Sequence, residues 1–257
     1  MLRAVFFDAA GTLFHTREPA GLSYAKIARR FGVEADQRLV IDSFRRAFAA
    51  APGLAFGSGY EAEELRELER DWWRHLVRAT FAGLGDFADF EAYFDALFAF
   101  FADPANWIRD PDAPALLTAF RESGIALGVI SNFDYRIYAI LEALGLNRYF
   151  DSITISSEAG YAKPAPEIFR LALERHSLSA EEALHVGDSE PLDVGGALAA
   201  GVAVVLVDPQ DTGPPHAARP ESSLQPERRE PSLPEGRCVR VRSLGQVAAA
   251  LGRLGFP

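Results

Sequence analysis

Four short stretches place chemically capable side chains at the ends of apolar runs. VFFDAAGTLF (5–14) ends its run on Asp8 and turns at Gly11, VISNFD supplies Ser131 and Asn132, YAKPAPEIF supplies Lys163, and HVGDSEPLD supplies Asp188 and Asp193. Carboxylates with one hydroxyl and one ammonium suit phosphoryl transfer. A hard cation such as Mg²⁺ bridges the acids and the phosphate, Lys163 and Ser131 neutralise and orient its oxygens, and a carboxylate serves as nucleophile. Each residue also has an ordinary reading: Asp8 as a strand-end cap, Lys163 as a surface residue in a Pro-bounded loop, Asp188 as a turn former after Gly187. Their common position after apolar runs makes those readings secondary.

For these groups to meet, the apolar runs must be neighbouring strands. RAVFF (3–7) is a short continuous apolar run closed by a turn, the pattern of a strand buried on both faces of a parallel sheet. The pattern recurs in IALGVI (125–130), SITIS (152–156), EALHVG (182–187) and VAVVLV (202–207), while CVRVRS (238–243) alternates more and is expected at an edge. Helical patterns lie between them: PDAPALLTAFRESG, YRIYAILEALG, PEIFRLALERH and DVGGALAAG, with Gly124, Gly145 and Gly201 as stops. Repeated strand–helix–strand units predict an α/β fold with a doubly wound, Rossmann-like parallel sheet, in which ligands collect outside the carboxyl ends of the strands.

Residues 16–105 break this rhythm. Helices are expected at roughly 20–31, 37–50, 61–80 and 89–102, the third with an apolar stripe of Leu65, Leu68, Trp72, Leu76 and Ala79. They predict a helical domain at 16–105 inserted into a core of 1–15 and 106–257. Its aromatics, Trp72, Trp73, Phe90, Tyr93, Phe94, Phe98 and Phe101, are read chiefly as bundle packing, with an apolar substrate pocket as the alternative. Residues 209–236 hold seven prolines among Gly, Ser, Glu and Arg, and read as a solvated, weakly ordered connection.

A chain of 257 residues that is 49% hydrophobic can bury a sizeable core. Its formal net charge of −10 argues against nucleic acid or an anionic membrane as partner and leaves small molecules as the expected ligands. Cys238 is the lone cysteine, so neither an internal disulfide nor a thiolate zinc site is available, and a reducing compartment, the cytoplasm, is expected. The N-terminal apolar run is broken too early for a signal peptide, and no eighteen apolar residues run together, so a soluble protein is expected. Only Lys26 and Lys163 are lysines, which limits any chemistry that needs an amine.

Taken in order, Asp8, Ser131, Lys163 and the GDSEPLD acids resemble the four motifs of the haloacid dehalogenase (HAD) superfamily. The long insertion after the first motif resembles that family's first class of helical cap, and FFDAAGTL followed by GLSYAKIARRFG resembles one branch within it. The resemblance implies a covalent route: Asp8 attacks phosphorus and water then releases phosphate from the aspartyl phosphate. It implies Ser131, Asn132 and Lys163 as phosphate-binding residues. It also implies Mg²⁺ held by Asp8, the backbone carbonyl of Ala10 and Asp188, with Asp193 supporting from behind. The cap would close over Asp8 and choose the substrate, Arg17, Lys26 and the cap aromatics being candidates for contact.

One position departs from the pattern. Phosphatases of the superfamily carry a second Asp two residues after the nucleophile, to protonate the leaving oxygen and activate water; here that position is Ala10. General acid–base help is typically worth about 10²–10⁴ in rate. Three readings stay open: a phosphatase that is slow, acts on acyl or aryl phosphates, or borrows an acid from the cap; a phosphonoacetaldehyde-type C–P hydrolase, with Lys26 as the Schiff-base amine; and a phosphate- or metal-binding regulatory module. Dehalogenation fits less well, because that chemistry needs no metal-type acids. His15 is read as an exposed loop histidine with a site role as the alternative, His185 as a satisfied core residue, and Lys26, beside Arg29 and Arg30, as a surface residue.

Overall fold

The structure is a computed structural model that describes residues 1–209 and 236–256. Most of the Pro-rich stretch therefore lies outside the described residues. Six strands form one sheet in the order β5 (Ser152–Ile155), β4 (Ala126–Ser131), β1 (Ala4–Phe7), β6 (Ala183–Gly187), β7 (Ala203–Val207) and β8 (Cys238–Val241). Every neighbouring pair is parallel. This is the doubly wound order that reverses at its first strand, and the crevice at that reversal lies beyond the ends of β1, β4 and β6. The last strand lies at the edge, as its alternation predicts.

Period-2 alternation divides the apolar runs between two faces. Val5 and Phe7 of β1 pack with Leu127, Val129, Leu184 and Val186 on one side, beneath Leu117, Phe120, Ile137 and Ile140 of α5 (Ala113–Glu122) and α6 (Arg136–Ala143). Ala4 and Phe6 face the other side with Ile130, Val204 and Leu206, under Ile168 and Phe169 of α8 (Pro166–Arg175) and Ala197 of α9 (Gly195–Ala199). With both faces covered, the core strands need no polar alternation, which explains their near-continuous apolar sequence.

The long middle stretch contains α1 (Ala20–Arg30), α2 (Gln37–Ala50), α3 (Ala62–Phe81) and α4 (Phe90–Ala102). They share a separate apolar cluster built on Tyr24, Ile27, Phe44, Leu76, Phe81, Tyr93, Phe94 and Phe98. The stripe on α3 differs from the one expected: Ala79 is exposed, and the buried residues are Glu69, Leu76, Val77, Thr80 and Phe81. The reason is that α3 packs on two sides, against its sister helices and against the short helix α7 (Ser156–Ala159) that follows β5.

A small antiparallel ladder missing from the sequence reading ties the ends of this stretch together. β2 (Phe14–Thr16) pairs with β3 (Trp107–Arg109), His15 opposite Ile108. Three-residue strands carry too little periodicity to be read in advance. Beside the ladder, Arg17 donates through Nε to the Ala105 carbonyl at 2.6 Å. The ladder and this bond fix where the chain leaves the sheet and where it returns.

Phe6 is among the largest fully buried side chains and lies on the strand that leads into Asp8. Phe6→Ala is expected to lower stability by about 3–5 kcal/mol, read as a drop in the denaturant midpoint at unchanged slope.

Candidate active site

The carboxyl ends of β1, β4 and β6 bring the four sequence stretches to one place. Directly after β1, Asp8 is buried, and its backbone N–H donates to the Val186 carbonyl at 2.8 Å, continuing the ladder with β6 for one residue. The chain then reverses. The amides of Leu13 and Phe14 converge on the Ala9 carbonyl at 2.8 and 3.1 Å, and Gly11 takes φ 107°, a conformation that a side chain at this position would strain. Ala10 lies half-buried in this turn.

Lys163 is the centre of the cluster. Its Nζ donates to Asp8 Oδ1 and to Asp193 Oδ1, both at 2.6 Å, with the side chain almost wholly buried. Ser131 Oγ, at the end of β4, donates to the same Asp8 oxygen at 3.3 Å. Both donors thus fall on Oδ1. Asn132 acts on Lys163 rather than beside it: its Nδ2 donates to the Lys163 carbonyl at 2.9 Å and its Oδ1 accepts the Lys163 N–H at 2.7 Å. Its side chain is committed to fixing Lys163, so a phosphate contact here would fall to its backbone N–H.

Asp193 is held from several sides. Besides Lys163, Oδ1 receives His185 Nε2 at 2.9 Å, and Oδ2 accepts the Ser189 N–H at 2.9 Å. An ionised carboxylate only accepts, so the His185 hydrogen is on Nε2. The expected helix DVGGALAAG instead begins as a π-type turn over Glu190–Val194, which turns Asp193 back toward the sheet before α9 starts. Gly187 is required by this approach, since a Cβ there would lie 2.3 Å from Asp193 Cγ. Asp188, half-buried, accepts from Thr12 Oγ1 at 3.5 Å, and one carboxylate oxygen each of Asp8, Asp188 and Asp193 lies within 4.8 Å of the others.

Burial pushes the Asp8 carboxyl up and the Asp193 charge adds to that push, with Lys163 opposing it. Burial also works against charge on Lys163 and Asp193, but there the attraction wins. Asp193 and Asp8 hold the ammonium above its ordinary value, and Lys163 with His185 holds Asp193 well below the usual carboxylate range. Lys163 and Asp193 offset one another, and the Asp8 and Asp188 carboxylate oxygens beside them are hard donors of the kind that fits a divalent cation. Both Asp193 oxygens already accept from protein donors.

Other candidates lie elsewhere. Lys26 pairs with Glu18, and its side chain is 57% exposed. Arg17 is bound to the Ala105 carbonyl. His15 belongs to β2 rather than an exposed loop; it is half-buried, and burial lowers its pKa against the pull of Asp110. His185 is buried as expected but belongs to the site network through Asp193, and its Nδ1 has no hydrogen-bond partner among the described residues. A polar residue two places before the strand-end Gly187, on a strand otherwise apolar, was the available signal. The aromatics of α4 mostly pack inward, whereas Trp73 donates from Nε1 to Asp134 Oδ2 at 2.6 Å. That contact spans 61 residues and has no sequence signature.

An Asp8–Lys163–Asp193 cluster at the reversal point of this sheet defines a class. Residues 2–201 match the haloacid dehalogenase-like hydrolase family, and the chain belongs to it. It is 34% identical over 220 residues to haloacid dehalogenase-like hydrolase domain-containing protein 3 of Homo sapiens, covering 83% of this chain and 85% of that protein. With its Mus musculus counterpart it shares 35% identity over 212 residues, 80% of this chain and 82% of the other. Among solved structures, L-2-haloacid dehalogenase from Xanthobacter autotrophicus superposes with a TM-score of 0.68 at 22% identity, over 98% of this chain and 99% of that one. A HAD phosphatase from Thermococcus onnurineus superposes at 0.60 and 22% identity, over 98% of each. At such identities the likeness is one of fold, and the fold hosts both reactions.

Asp193→Asn would leave the buried Lys163 with Asp8 as its only carboxylate partner and is expected to cost about 3–5 kcal/mol at pH 7. Because the folded-state pKa of Asp193 lies below its unfolded value, the stability it supplies is full above about pH 4. Denaturation of parent and variant should therefore converge only as pH falls below the usual carboxylate range.

Proposed function

We propose that the protein is a Mg²⁺-dependent phosphohydrolase acting on a small phosphorylated metabolite, with Asp8 as nucleophile. The observation that carries this reading is the buried Lys163 ammonium 2.6 Å from Asp8 Oδ1, beside the carboxylate of Asp188. Lys163 and Ser131 orient Asp8 through one oxygen and stand ready to bind phosphoryl oxygens. Asp8, the Ala10 carbonyl and Asp188 would hold the cation, with Asp193 supporting Lys163 from behind. The cation would neutralise the phosphoryl oxygens and favour attack at phosphorus.

In the first step an Asp8 carboxylate oxygen bonds to phosphorus and the leaving oxygen departs with the electron pair. Water then attacks the aspartyl phosphate, releasing inorganic phosphate and restoring the carboxylate. Ala10 supplies no proton to the leaving oxygen, so substrates with good leaving groups, acyl and aryl phosphates, are favoured over alkyl esters. The four helices at 20–102 serve as the cap that shapes the substrate space. An exposed Lys26 paired with Glu18 argues against the Schiff-base alternative.

Among the described residues no helix is long and apolar enough to cross a membrane. Cys238, the lone cysteine, is buried, and burial pushes its thiol up to about 11, away from reactivity. Both fit work in a reducing cytoplasm on diffusible substrates.

Turnover of aryl and acyl phosphates with Mg²⁺ should fall to background in Asp8→Asn and after chelation. Ala10→Asp should raise turnover of alkyl phosphates by about 10²-fold or more. Activity unchanged in Asp8→Asn would overturn the covalent route, and no hydrolysis by either parent or Ala10→Asp would favour a binding module.

A further inference from the structure

The helical unit meets the sheet along one face of α3. Arg66, Glu69 and Trp73 share that face at spacings of three and four residues. The Arg66 guanidinium lies 5.2 Å from the Tyr135 ring centroid, and Trp73 Nε1 donates to Asp134 Oδ2 at 2.6 Å. Asp134 is wholly buried and also takes a two-pronged pair from Arg136, whose guanidinium lies 4.0 Å from the Phe98 ring centroid of α4. Nearby, the amides of Phe56 and Gly57 both donate to the Ser157 carbonyl at 3.2 Å. The seam is thus a set of polar bonds around a buried carboxylate, with every cation in it already committed.

Glu69 sits within this seam with no cation paired to it among the described residues. It is wholly buried, and among the described residues neither of its oxygens has a well-formed hydrogen bond. The groups that act on it are the Ser157 hydroxyl and the Tyr135 backbone, which reach it as weak hydrogen-bond donors and favour its charge, and the carboxylates of Asp134 and Glu158, which oppose it. Tyr138 of α6 feels its charge, but its hydroxyl donates to Glu158. The basic side chains close by are otherwise engaged: Arg136 with Asp134, Arg70 with Asp95 and Arg66 with Glu63. A buried carboxylate beside two like charges, with no cation of its own, is tolerated as the neutral acid and is costly as the anion.

We propose that Glu69 is a proton-operated latch between the helical unit and the sheet: its neutral form lets α3 stay docked on Asp134 and Ser157, and its anion drives the seam open into water. That opening uncovers Asp8 rests on the cap reading above; the latch itself does not. Burial, helped by Asp134, pushes the carboxyl up to about 7 from its ordinary 4.5. A raised folded-state pKa means that the docked form retains a proton that the opened form has lost. Docking is therefore strongest below about pH 4.5, weakens as pH rises toward 7 and levels off above it. Over that range the docking constant should fall on the order of 10²-fold.

The test is a distance measurement between spin labels at two exposed positions, Leu39→Cys on α2 and Glu174→Cys on α8, in the full chain without substrate or metal. From pH 5.5 to pH 8 the population should shift to longer distances in the parent. In Glu69→Gln, which mimics the neutral acid in size and shape, it should stay short at both. Should that variant not fold, Glu69→Met carries the same expectation. An unchanged distance in the parent, or a pH shift in Glu69→Gln equal to the parent's, would overturn the latch. Because no turnover is measured, its failure is separable from failure of the Asp8 chemistry: hydrolysis lost in Asp8→Asn with no distance change would sink the latch alone.

Discussion

A single ammonium buried between two carboxylates fixes the centre of this molecule. Lys163 comes from the loop before α8, Asp8 from the end of β1 and Asp193 from the turn after β6, and the 2.6 Å contacts leave the ammonium no room to wander. Removing such a charge from water is unfavourable unless several partners converge on it. Much of the surrounding geometry does that work. Asn132 grips the Lys163 backbone from both sides, Ser189 and His185 hold Asp193, and Gly187 lacks the Cβ that would block the approach. The parallel sheet matters because it brings these ends together at the reversal of strand order.

The cluster also separates family from reaction. The solved relatives include a dehalogenase and a phosphatase of equal sequence distance, so the sheet and helices alone cannot choose between them. The proposed preference for phosphorus rests on local features: paired charges cancel at Lys163–Asp193, and the remaining acids supply hard oxygen donors of the kind a divalent cation takes. On the proposed route Ala10 bears on a different quantity, since it leaves the backbone of the turn in place but offers no proton-transfer group.

A second constraint operates away from the nucleophile. The antiparallel ladder of β2 and β3 holds the exit and return of the chain, while the α3 seam decides how the helices lie on the sheet. The ladder is backbone bonding at a fixed crossing, whereas the seam adds side-chain contacts around Asp134 and the buried Glu69. Backbone ladders tolerate pH changes; a buried acid does not.

Strands buried on both faces announced themselves as continuous apolar runs, and the polar residue after each run named Asp8, Ser131, Lys163, Asp188 and Asp193, because strand ends in a parallel sheet are where polar groups meet ligands. The helices of the long middle stretch were legible from periodicity to within a residue or two. Only the tertiary structure decided that Asn132 serves Lys163, that His185 serves Asp193, that Asp193 turns back through a π-type turn, and that Glu69 lies buried while Ala79 faces water. The difference is physical: periodicity and strand ends are local in the chain, whereas the partner of a buried polar group is chosen by whichever segment the fold brings against it, here from as many as 176 residues away.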